Sequence, residues 1–322
     1  MKNIRIWFSD FSSDFNVNDN QFVNILKKRY NIILDSKSPD YLFYSNFGQK
    51  YLDYDCIRIF YTGECIVPDF NLCDYAMAFD RLQFGDRYLR LPLYRLFQYR
   101  RYYDMLFEKK TIDNPCDRNF CSFVCSNCFA DDIRSKMFLL LSEYKKVDSG
   151  GRYMNNIGGP VKDKFEFQTK HKFAIAFENG SYDGYATEKL VDALASGVVP
   201  IYYGDPNIHL DFNESSFING HRYDSLQSIV ERVKELDNND ELYREVLNSN
   251  PIITDMRDDH DLKDFLYNIF DCDISSARRR PASSYAADLE KYYIRYGVSE
   301  RWIFSKIERL RKLLYRIKNN AI

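Results

Sequence analysis

The sequence predicts an α/β chain of two halves, each built on a parallel sheet, followed by a helical tail. Three observations carry this. Short apolar runs of strand length alternate with segments whose apolar residues recur at helical spacing, the pattern of parallel sheets with crossover helices. The stretch Phe173 to Gly204, FAIAFENGSYDGYATEKLVDALASGVVPIYYG, reads as a complete strand, turn, helix and strand. At 322 residues the chain also exceeds the size at which one core keeps growing, so each half is expected to bury its own.

In chain order, Ile4 to Phe8 is the first strand candidate, Asn20 to Tyr30 a helix, and Tyr41 to Ser45 and Ile57 to Tyr61 further strands. The Arg- and Tyr-rich stretch from Tyr88 to Lys110 reads as a connector, and Thr111 to Arg118, with Pro115, as the boundary between halves. The expected division is residues 1–112, 113–265 and a tail over 266–322. Phe120 to Ser126 is a strand, Asn127 to Asp132 a turn with N-cap residues, and Ile133 to Tyr144 a helix whose first turn holds Arg134. Phe173 to Phe177 and Val198 to Tyr203 are strands, joined by a helix that Gly197 stops. Beyond Asp211 the signals are helical, over Ser225 to Leu236 and Glu241 to Asn248.

Chemistry concentrates at the strand-to-helix junctions. In open parallel sheets ligands sit beyond the carboxyl ends of the strands, where helix N-termini point, so Glu178, Asn179 and the helix start at Glu188 and Lys189 line one crevice. A cation in a first helical turn is disfavoured by the macrodipole unless an anion sits beside it, and the anion expected here is a phosphate. Arg134 repeats the arrangement upstream. Two such junctions suit a pyrophosphate, Arg forking two oxygens and Lys acting as a point charge. The bland readings remain open: Arg134 pairing with Asp131, Glu188 and Lys189 as helix-surface charges, Glu64 as a solvated loop carboxylate.

Composition excludes several classes. A net charge of -2 gives no overall pull toward nucleic acid, and 16% aromatic residues argue against disorder. The start, MKNIRIWFSDF, turns polar too soon for a secretory signal and no apolar run reaches membrane-spanning length, so a cytoplasmic protein is expected. Cys116, Cys121, Cys125 and Cys128 cluster without a paired zinc spacing and read as buried thiols, and the four histidines are scattered; no metal site is assigned. From Val298 to Asn320 a basic amphipathic helix is expected, able to lie on an anionic membrane, on the inner face of the cytoplasmic membrane, or to pack on protein or on a second copy.

FENGSYDGYATEKLVDALASGVVPIYYG, preceded by FCSFVCSN with Arg134 downstream, by FYTGE at Phe60 to Glu64, FNLCDYAMAFD at Phe70 to Asp80 and RYLRLPLY at Arg87 to Tyr94, resembles the α-1,3-fucosyltransferases of glycosyltransferase family 10. The resemblance covers Ile4 to about Ile252. It implies a GT-B fold, two Rossmann-like domains facing across a cleft, with GDP-fucose as donor. It implies inverting transfer of fucose to a hydroxyl of GlcNAc or glucose in an acceptor such as LacNAc or lactose. By position in the motifs, Glu64 resembles the general base, Arg134 and Lys189 the pair that holds the pyrophosphate, Glu188 the ribose acceptor, and Asn179 and Tyr185 donor-contacting residues. Glu178 either faces the fucose or braces the turn. No metal or other cofactor is required on this reading, because the two cations offset the charge that grows on GDP. Two rivals stand beside it: a GT-B transferase with another sugar nucleotide, and a glycan-binding protein that has lost the chemistry. Gly180, where many members carry serine, and Gly184 are departures expected to change loop flexibility.

Overall fold

The computed structural model describes residues 1–96, 99–108, 112–126 and 132–281, together with Lys306, Ile307 and Leu310. The first half holds β1 (Lys2–Ser9), α1 (Gln21–Leu26), β2 (Tyr30–Leu34), β3 (Tyr41–Tyr44), β4 (Ile57–Tyr61), β5 (Tyr75–Ala78) and β6 (Tyr88–Arg90). Its six strands run parallel in the order β2-β1-β3-β4-β5-β6. Every residue of β3, β4 and β5 is buried, because both faces of the sheet are covered. The expected helix from Asn20 is shorter than its apolar pattern suggested. Asn20 caps it by accepting from the Val23 N–H, but the chain leaves the helix after Leu26 and Tyr30 opens an edge strand.

After α2 (Arg100–Met105), which lies inside the expected connector, the second half contains β7 (Asn119–Phe123), α3 (Ile133–Tyr144), β8 (Val147–Ser149), α4 (Lys164–Gln168), β9 (His171–Phe177), α5 (Glu188–Ala195), β10 (Val199–Tyr203) and β11 (Ile218–Asn219). These five strands are parallel in the order β11-β10-β9-β7-β8. Gly197, at φ +69°, ends α5 as the sequence implies. The chain continues through α6 (Leu226–Asp237), α7 (Asp240–Asn248), α8 (His260–Asp271) and α9 (Ile274–Ala277).

Residue 265, the expected end of the second half, falls inside α8, and α8 packs on the first sheet: Leu262, Phe265, Leu266, Ile269 and Phe270 share a core with Ile4, Ile6, Phe22, Tyr41, Phe43 and Ile59. The aromatic face of this core calls the helix back, with the Phe270 ring 4.3 Å from that of Tyr41. α8, with Ala277 of α9, therefore completes the core of the first half. The expected amphipathic helix over Val298 to Asn320 lies outside the described residues, except that Lys306, Ile307 and Leu310 are helical and exposed. Among the described residues no helix is long and apolar enough to cross a membrane.

Candidate active site

Both sheets have the strand order of doubly wound folds, in which the crevice opens where the order reverses. In the second sheet that point lies between β7 and β9. The chain leaving β7 enters α3 with Arg134 in its first turn, and the chain leaving β9 enters α5 with Glu188 and Lys189 in its first turn. One hydrogen bond joins the two junctions and another closes the second on itself. Arg134 Nη1 donates to Asn179 Oδ1 at 3.0 Å, and Lys189 Nζ donates to Glu178 Oε2 at 2.9 Å.

Glu178 is buried, and both its oxygens are engaged by its own loop: Oε1 accepts from the Thr187 N–H at 2.7 Å and from Thr187 Oγ1, and Oε2 from Thr187 Oγ1 and Lys189. It braces the turn. Burial pushes its carboxyl up against the pull of Lys189, while the Lys189 ammonium, despite desolvation, is held above the usual lysine range by Glu178 and Glu188. The anion that the sequence demands beside Lys189 is thus supplied in part by the fold, because β9 delivers Glu178 to the start of α5. Lys189 keeps 22% of its side chain exposed. Glu188 stands 3.6 Å from Lys189; burial works against its ionisation, but Lys189 and Lys164 hold its carboxyl below the usual range.

Tyr185 is packed between the halves. It is 1% exposed, with its ring 4.9 Å from Phe79 of the first half and its carbonyl accepting from Tyr202. Burial, reinforced by Glu178, pushes its hydroxyl well up, so it stays protonated.

A residue that sequence reasoning passed over joins the group. Lys164, at the start of α4, lines a small cavity with Arg134, Gln168 and Lys189 and is fixed by Asp192 at 2.7 Å. Asp163 caps α4 by accepting from the Glu166 N–H, and Asp followed three residues later by Glu is the signal that could have found this helix.

The first sheet reverses between β1 and β3, and there a cavity of about 770 Å³ opens, lined by Phe11 beyond β1, Phe47 beyond β3, and Tyr61 and Glu64 at the end of β4. Glu64 is half-buried, and its N–H donates to Thr62 Oγ1 at 3.0 Å. The two crevices face each other. A Cβ on Gly180 would lie 3.8 Å from Cys65 Sγ, and the carboxylates of Glu64 and Glu178 both act, after burial, to raise the Cys65 thiol. Cys121 and Cys125 are buried thiols and Cys128 lies outside the described residues.

Comparison with known proteins gives this arrangement its context. Residues 6–97 match the α-(1,3)-fucosyltransferase FucT N-terminal domain, and residues 114–264 match the glycosyltransferase family 10 (fucosyltransferase) C-terminal domain. A crystal structure of an α1,3-fucosyltransferase with GDP superposes with a TM-score of 0.73 at 31% identity, over 87% of this chain and 93% of that one. The chain belongs to glycosyltransferase family 10. A second structure, with GDP-fucose, gives a TM-score of 0.70 at 29% identity over 88% and 93%. The family member FucT of Helicobacter pylori is 36% identical over 71% of this chain and 56% of its own length. A GDP-fucose protein O-fucosyltransferase 3 of Xenopus tropicalis is 33% identical over 39% of this chain and 29% of its own. The chain therefore spans little more than half the length of these curated relatives at most. The two parallel sheets facing across a cleft are the GT-B fold of this family.

Proposed function

We propose that the protein transfers L-fucose from GDP-fucose to a hydroxyl of GlcNAc or glucose in a glycan, most simply in α-1,3 linkage, with inversion and with Glu64 as general base. The observation that carries the reading is the pairing of two sheet reversals across one cleft. Arg134 and Lys189 flank one, Glu64 borders a cavity at the other, and Cys65 and Gly180 bring their loops together. Solved relatives of the same family hold GDP and GDP-fucose, which supports that donor.

The chemistry follows from charge. As the glycosidic bond breaks, negative charge grows on the diphosphate, and two fixed cations in a partly desolvated crevice stabilise it without reorganising. Inversion needs one carboxylate, on the face opposite the leaving group, to take the acceptor proton as its oxygen attacks the sugar carbon. Glu64, lining the cavity of the first half, is the carboxylate this reading assigns to that role. With Arg134 and Lys189 in place, a resident metal is not needed for charge neutralisation, and activity is expected to survive EDTA.

The test is incubation of the purified protein with GDP-fucose and an acceptor array that includes LacNAc and lactose, with the product linkage read by mass spectrometry. Formation of a fucosylated product supports the reading. Turnover of UDP-sugars but not GDP-fucose, or acceptor binding with no transfer, overturns it in favour of another donor or of a glycan-binding protein.

A further inference from the structure

Arg81 is used by none of the steps above, yet no other arginine described ties together so many charged groups of the opposite half. It follows β5 in the first half and donates to Asp183 Oδ1 at 2.8 Å, to Asp205 Oδ2 at 2.8 Å, to Asp211 Oδ2 at 2.9 Å and to the Asn207 carbonyl at 3.2 Å. All four acceptors belong to the second half. Asp205 is fully buried, and its Oδ1 also accepts from the Gly184 N–H at 2.9 Å. Arg90, on β6, adds a bidentate pair to Asp211 at 3.0 and 2.6 Å. Two guanidinium groups of the first half thus face three aspartates of the second.

The loop they hold is the one that leads into the candidate site. Gly184 has φ +81°, and a Cβ there would stand 2.6 Å from the Phe79 carbonyl, so the loop is pressed onto the first half where only glycine fits. Three residues further on, the N–H and Oγ1 of Thr187 hold Glu178, which holds Lys189. A continuous set of bonds therefore runs from the acceptor-side half to the cation on the donor side. We propose that Arg81 is a positioning residue for transfer: by forking Asp205 and Asp183 it fixes the Asp183–Thr187 loop against the first half, setting Lys189 and its bound diphosphate at a working distance from Glu64.

This rests on the fucosyl-transfer reading for its kinetic consequence but not for its structural one. Lys in place of Arg keeps the charge and loses the fork. In Arg81→Lys, hydrogen–deuterium exchange of the amides of Gly184 to Thr187 should accelerate by about tenfold or more, since their bonds open locally. GDP affinity, measured by calorimetry, should stay within about threefold, while kcat falls by roughly tenfold to a hundredfold and the share of GDP-fucose lost to water rather than to acceptor rises. A residue that only stabilises the fold would lower the melting temperature without moving that partition. Asp183→Asn, at a half-exposed side chain, is the milder variant should Arg81→Lys fold poorly, and should show the same signs at smaller size. Unchanged exchange in the loop overturns the proposal, whatever the parent's activity. So does loss of kcat matched by an equal loss of GDP affinity, or a hydrolysis-to-transfer ratio equal to the parent's. A parent that transfers no fucose defeats the functional reading alone, and the exchange measurement then still decides the role of Arg81.

Discussion

Replacing Glu64 by Gln keeps the shape of the side chain and the backbone bond to Thr62 and removes only the capacity to take a proton. General-base catalysis contributes about 10²–10⁴ in rate, so Glu64→Gln should lower kcat by that order and leave the affinity for GDP within about twofold. Equal loss in both would show that Glu64 serves donor binding. Lys189 calls for a paired design, because truncating it strands Glu178 as a buried, uncompensated carboxylate. Lys189→Met should cost about 3 kcal/mol of stability as well as weakening GDP binding, both read by melting and calorimetry. In the double variant Lys189→Met, Glu178→Gln the stranded charge is gone while the amide still accepts from the Thr187 N–H. Stability should largely return and GDP affinity should not, which separates the cation's two roles.

At the level of single elements the same reasoning applies to Asp237, the last residue of α6. Its buried carboxylate accepts from Lys172 Nζ on β9 at 2.8 Å and from Lys145 Nζ and Tyr144 Oη at 3.1 Å, fastening helix to sheet. Burial opposes its ionisation, but Lys172 and Lys145 hold its carboxyl below the ordinary value of 3.8. A depressed carboxyl contributes stability that is fully present above the unfolded value and is lost as pH falls through the folded one. Asp237→Ala should therefore destabilise the protein by about 3 kcal/mol near neutrality, and the gap in melting temperature between parent and variant should begin to narrow below about pH 4 and go on narrowing as pH falls through the folded value. A gap that does not narrow at all as pH falls from about 4 toward 2 would mean that packing, not charge, is what Asp237 supplies.

The elements differ in how plainly the sequence announced them. The interior strand β3, YLFY, and the Phe173 to Phe177 part of β9 are buried on both faces and read as unbroken apolar runs. The edge strands β2, with alternating exposure, and β8 and β11, three and two residues long, carry too little pattern to stand out. Among candidate site residues, Arg134, Glu178, Asn179, Glu188 and Lys189 were legible because a strand end and a helix start, both local features, fix where each lies. Arg81 was not, since its partners lie 102 to 130 residues away in sequence and only the docking of the halves brings them to it. The burial of Tyr185 was equally hidden, because its neighbour Phe79 comes from the opposite half.

Across the whole molecule, the crossing of α8 back to the first sheet joins the stabilities of the two halves. Phe270 is fully buried between Tyr41, Phe43 and Tyr30, so the first core is finished only by chain that has already passed through the second half. Arg95, buried in the segment linking the halves, adds a bidentate pair to Asp261 at the start of α8, at 2.7 Å on both oxygens. A ligand bound in the second half at 100 times its dissociation constant adds about 2.7 kcal/mol to whatever unfolds with it. If the halves unfold together, GDP should raise a single calorimetric transition of the whole chain. Phe270→Ala removes a buried ring at a cost of about 3–5 kcal/mol and loosens α8 from the first sheet. In that variant the transition should split, with a lower component from the first half that GDP no longer shifts and an upper one that it still does. Two transitions in the parent, with only one responsive to GDP, would show that α8 covers the first sheet without coupling it to the second.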